Sequence, residues 1–120
     1  MIMNMMSSGG KLSASGTGNV TGGSTTTFKN LAGVDSNVNA AKVTQNLGFV
    51  PSLIIVTVKG AEDVTTIYRA EGWTTDSKSK IKGQDGMYYQ LTGNAKVTAT
   101  GFTLPLHFYD DGTFNWVAYE

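Results

Sequence analysis

Cysteine is absent from these 120 residues, which removes disulfides, thiolate zinc sites and a cysteine nucleophile together. The absence fits synthesis in a reducing cytoplasm and leaves later exposure outside a cell open. Charge is scarce as well: nine basic and nine acidic side chains cancel, and 15% charged is below the ~25% of an average domain. Nucleic-acid binders are usually basic, so that class is demoted. No apolar run approaches the ~18 residues of a membrane helix, and the opening MIMNMM lacks the basic start and long apolar stretch of a signal peptide. Histidine occurs once, at His107, with no second imidazole or serine-elbow motif to complete a metal set or a triad. Neither an enzyme nor a bound metal or cofactor is expected.

What is present is the usage of a sheet protein with many turns: fifteen glycines against two prolines. Leu, Ile, Val and Phe total 27 of 120, above the ~20% below which disorder is the better reading. The chain is long enough for one domain with a modest core.

The firmest commitment lies at the end. Phe102, Leu104, Leu106 and Phe108 fall at every second position, the period of a half-buried strand, and Thr113 to Tyr119 reads as another. Asp110-Asp111-Gly112 between them is a turn signal. With all three in the loop and Gly112 in the left-handed conformation, Phe108 would face Phe114, Leu106 would face Trp116 and Leu104 would face Ala118. A second hairpin, Ala95 to Ala99 turning at Thr100-Gly101, would set Ala99 opposite Phe102 and Val97 opposite Leu104. The chain is then expected to end in a three-stranded meander. In that register His107 lies across from Asn115, Trp116 is core, and Asp110 and Asp111 serve the turn.

Upstream, Leu53-Ile54-Ile55-Val56-Thr57-Val58 reads as a central strand covered on both faces, with Val64 to Ala70 the next strand and Met87 to Leu91 a short aromatic one. Between Phe28 and Val43 the spacing of Leu31, Val34, Val38 and Ala41 is helix-like, while Gly33, Asn37 and Asn39 favour a loop with a short strand. Residues 1–27 carry almost no periodic apolar positions and are expected to be flexible, or to dock on a partner through the Met-rich start. The domain proper is then 28–120. Short strands with turn signals at this spacing predict an all-β fold, an antiparallel β-sandwich or jelly roll.

Two sets of residues are candidates for binding. Trp73, Tyr88, Tyr89 and Tyr109 are planar rings with polar edges, suited to sugar stacking and to protein interfaces alike. Lys78, Lys80 and Lys82 share one parity; they would either guard an edge strand or bind a phosphate-rich polymer.

The runs Leu47-Gly48-Phe49-Val50-Pro51-Ser52-Leu53-Ile54-Ile55-Val56, Gly101-Phe102-Thr103-Leu104-Pro105 and Asn115-Trp116-Val117-Ala118-Tyr119 together resemble a β-sandwich module of virion proteins from phages of Gram-positive bacteria. Such modules occur in tail-fibre, baseplate and head-associated proteins, and the resemblance spans about residues 43–120. It implies a non-enzymatic structural protein, made in the host cytoplasm and displayed on the tail or capsid of the virion, assisting host attachment or particle stability. Its motifs carry no catalytic residues. The small core, the surplus of aromatics and the apolar start favour a homo-oligomer, a trimer first, with other virion proteins as partners and neither nucleic acid nor membrane. The alternative is a carbohydrate-binding module that recognises cell-wall glycan or teichoic acid through the aromatic rings and the lysine row.

Overall fold

The computed structural model describes residues 4–8, 11–73, 77–83, 88–92 and 95–120, and among them strands and turns account for everything regular. In chain order the strands are β1 (Asn4–Ser8), β2 (Lys11–Val20), β3 (Thr25–Asn30), β4 (Asp35–Thr44), β5 (Leu53–Val58) and β6 (Ala61–Arg69). They continue with β7 (Ser79–Lys82), β8 (Tyr88–Thr92), β9 (Lys96–Thr98), β10 (Gly101–Leu106) and β11 (Gly112–Tyr119). All pairings are antiparallel, in the order β1-β2-β11-β5-β6-β7-β8-β3-β4-β10-β9. The ladder folds over, so that β2, β11, β5 and β6 face β4 and β10 across one core. The architecture is the expected all-β sandwich of two antiparallel sheets packed together.

The meander at the end does not form. β9 and β10 pair, but β11 lies between β2 and β5 in the opposite layer, and residues 107–111 cross between the layers instead of closing a hairpin. Asn39 Nδ2 donates to the Phe108 carbonyl at 2.7 Å inside the protein, and the Gly22 amide donates to Asp111 Oδ1 at 2.7 Å, which anchors the crossing at both ends. Gly112 stays out of the left-handed region. Period-two spacing identifies which residues of each strand face the core, and both rows do: Leu104, Leu106 and Phe114 are fully buried. It says nothing about whether the next strand lies beside the first or across from it. Phe102 and Trp116 meet across the core, edge to face, with ring centroids 5.5 Å apart.

In the β9–β10 hairpin the turn is Ala99-Thr100, not Thr100-Gly101, and Phe102 pairs with Val97. The slip is two residues, so every side chain keeps its face. Gly101 opens β10 at φ +135°, where an added Cβ would meet the Val43 carbonyl oxygen.

Residues 11–20 are not a flexible approach to the domain, nor is 27/28 a boundary: β2 pairs with β11 over eight positions and belongs to the same sheet. Its inward row is Leu12, Ala14, Gly16, Gly18 and Val20. Gly16 and Gly18 lie beside Trp116 and Phe114, and a Cβ on Gly18 would run into the Phe114 ring. Glycine there leaves room for an aromatic ring on the neighbouring strand. Residues 28–43 form neither helix nor long loop but the β3–β4 hairpin, whose turn leaves Leu31 and Val34 exposed.

β5 lies inside its layer, between β11 and β6, yet it is not covered on both faces. Ile54, Val56 and Val58 are buried while Leu53, Ile55 and Thr57 are half-buried. The strand covered on both faces is β10, and β4 beside it is so covered at Val38 and Asn39. Asn39, Ala41 and Val43 face the main core, while Val38 joins a second cluster with Phe28 and Ile81. The Pro105 carbonyl, past the last residue that β9 pairs, accepts a 2.6 Å bond from the buried Thr66 hydroxyl of β6.

Candidate functional site

The open side of the β2-β11-β5-β6-β7 run is the outward face, and the registers define it. One row crosses all five strands as Ser15, Val117, Ile55, Ile67 and Lys80. On one side of it lies the row Ser13, Tyr119, Leu53 and Arg69; on the other, Thr17, Asn115, Thr57, Thr65 and Lys82. The middle of the face is therefore apolar, β2 contributes hydroxyls, and β6 and β7 contribute cations. Val117, Ile55, Ile67 and Leu53 are half-buried, and Tyr119 is exposed.

Trp73 belongs to the cationic side. After β6 the chain turns at Gly72, whose amide bonds the Arg69 carbonyl, and the Trp73 amide bonds the Ser77 carbonyl at 2.7 Å. The indole Nε1 donates to the Ile67 carbonyl at 3.0 Å, which holds the ring against β6. The Arg69 guanidinium lies 4.4 Å from the ring centre and the Lys80 ammonium 5.2 Å, both in cation–π range. Trp73 thus gathers two cations, and its one polar atom is engaged within the fold. The nearby ion pairs, Arg69–Glu71 at 3.8 Å and Lys82–Asp63 at 3.7 Å, join carboxylates about nine-tenths exposed, so they hold the cations weakly.

Lys78, Lys80 and Lys82 do share a face, with Ser79 and Ile81 buried between them. They do not guard an edge, because β7 pairs with β6 on one side and β8 on the other. The ends of the ladder are β1 and β9. Tyr88 and Tyr89 are the register partners of Lys82 and Ile81, and their side chains lie outside the described residues. Tyr109 sits on a different loop from Trp73, in the 107–111 crossing; its hydroxyl meets His107 Nε2 at 2.6 Å and the two rings stack edge to face. His107 is accordingly half-buried beside Tyr109, and it does not face Asn115, which pairs with Thr17 and Thr57.

Sequence reasoning missed Arg69 and the row Val117-Ile55-Ile67. The alternation of β11 does place Val117 and Tyr119 outside, but only the pairing of β11 with β5, and of β5 with β6, makes a surface of them. A groove of about 180 Å³ beside β9, lined by Val43, Phe102, Thr98 and Lys96 among others, is smaller than the ~300 Å³ at which small-molecule pockets begin. Among the described residues no three of His, Cys, Asp or Glu converge to hold a metal. No family model, curated protein or solved structure matches the chain, so its role has to be argued from its own residues.

Proposed function

We propose that the protein is a non-enzymatic structural component of a phage particle, displayed on tail or capsid and acting through its surface. The observation that carries this reading is the outward face of β11, β5 and β6, where apolar Val117, Ile55, Ile67 and Leu53 occupy positions that a solvated sheet face gives to polar residues. An apolar middle with a polar rim is the anatomy of a protein–protein contact. The resemblance of residues 43–120 to phage sandwich modules supplies the setting. The test is to label purified particles of the encoding phage with an antibody against this chain. Decorated tails or capsids are expected; signal confined to the lysate would remove the protein from the particle.

A second reading, recognition of an anionic cell-wall polymer such as teichoic acid, is favoured by one specific observation: Arg69 and Lys80 converge on Trp73, with Lys78 and Lys82 on the same face. Binding of that kind weakens steeply with salt. Sedimentation with cell walls, before and after extraction of their phosphate polymers, distinguishes it from a purely structural role, in which the protein stays in the supernatant both times.

A further inference from the structure

We propose that the outward face of β2-β11-β5-β6-β7 pairs with the same face of a second copy of this chain, about a two-fold axis running along β5. The proposal rests on the assembly reading and names its partner. Rotation about β5 keeps β5 opposite itself and places β11 against the other copy's β6, and β2 against its β7. Ile55 then meets Ile55, Leu53 meets Leu53 and Val117 meets Ile67, so the apolar middle closes on itself.

Charge and shape agree with this axis. Lys80 and Lys82 of one copy face Ser15 and Thr17 of the other, and Arg69 faces Tyr119, so no cation meets a cation. A two-fold axis running across the strands would instead stack β7 on β7 and bring the lysines together, at a cost of like-charge repulsion. The small side chains of β2, Ser13, Ser15 and Thr17, lie opposite the side that carries Trp73, whose ring is held against Arg69 and Lys80. Five strands at ~4.8 Å and six residues of β5 at ~3.3 Å give a footprint on the order of 500 Å² per copy. That is below the ~800 Å² per partner of a standard interface, so the pair is concentration-dependent.

The experiment combines mass with geometry. Light scattering on the intact chain at up to roughly millimolar concentration should show the mass rise toward twice the monomer, and Ile55→Lys should abolish the rise while thermal unfolding stays cooperative. Because the chain has no cysteine, single-cysteine variants report position cleanly. A short bis-maleimide should join Ile55→Cys or Leu53→Cys copies, which lie on the axis. It should fail for Ser15→Cys, whose two copies stand four strands, ~19 Å, apart across the face. A monomer throughout the range, a trimer mass, or cross-linking at Ser15→Cys equal to that at Ile55→Cys would each overturn the pairing. Particle labelling is independent of it: a dimer that never labels particles refutes the phage role and keeps the pairing, and labelled particles built from a monomer do the reverse.

Discussion

The β2–β11 pair and the β4–β10 pair are both long antiparallel ladders, and they distribute their side chains in opposite ways. β11 gives one face to the core and leaves Asn115, Val117 and Tyr119 outside, while β2 beside it supplies glycine opposite the two inward rings, Phe114 and Trp116. β10 is buried on both sides, with Leu104, Pro105 and Leu106 buried in succession, and β4 beside it is so at the adjacent Val38 and Asn39, 3% and 0% exposed, while its Lys42 and Thr44 are exposed. A truncation on β10 therefore disturbs packing in a strand that is covered from two sides. The β2–β11 pair carries part of the outward face proposed above to meet a second copy.

Substitutions can break or sharpen that contrast. Leu104→Ala removes a fully buried side chain from the doubly covered strand β10 and should cost about 2–5 kcal/mol in urea unfolding. A cost below about 1 kcal/mol would mean that β10 can collapse onto the gap, and the contrast would fail. Gly18→Ala forces a Cβ into the Phe114 ring and should cost about 1–3 kcal/mol, although alanine is ordinarily the better strand residue. Adding Phe114→Leu should then make the alanine less harmful than it is alone; a cycle with no coupling would show that the glycine is not making room for the ring.

Tyr68, inward on β6, gives a smaller effect with a defined sign. Burial raises its pKa above the ordinary value of 10.0, so folding favours the neutral phenol. The stabilisation is complete below the unfolded pKa and is lost as pH rises through the folded one. Thermal unfolding above pH 10 should decline more steeply in the natural chain than in Tyr68→Phe, and identical profiles would dismiss the contribution. Smallest of all should be Val117→Thr, outward on β11, which is expected within about 0.5 kcal/mol of neutral in stability while weakening self-association in light scattering. A loss comparable to Leu104→Ala would place Val117 in the core and dissolve the contrast.

Much of this was legible from residue spacing. The faces of β10 and β11, the class of fold and the common face of the three lysines follow from alternation; the strand at 53–58 follows from an unbroken run of apolar or β-branched residues, and the one expected over 64–70 runs from Ala61 to Arg69. β2 was not legible, because two of the five positions in its inward row are glycines that leave no apolar signature; the core side chain that fills the space belongs to a strand about a hundred residues later. β4 was obscured for a different reason. Its buried positions switch face, with Val38 on one side and Asn39, Ala41 and Val43 on the other, so no single alternation runs through it, and its core face includes Asn39, whose Nδ2 donates to the distant Phe108 carbonyl.

The sequence by itself determined which side of each well-patterned strand turns inward, since side chains alternate with period two whatever the strand pairs with. It also set the absence of cysteine and the balance of charge. Tertiary structure alone decided which strands are neighbours. Phe102 and Trp116, fourteen positions apart, meet across a core and not along a hairpin, because a sandwich satisfies the same alternation either way. That choice removes the C-terminal hairpin and sets Val117 beside Ile55 and Ile67 of the consecutive strands β5 and β6, a neighbour of which the order of the chain holds no sign.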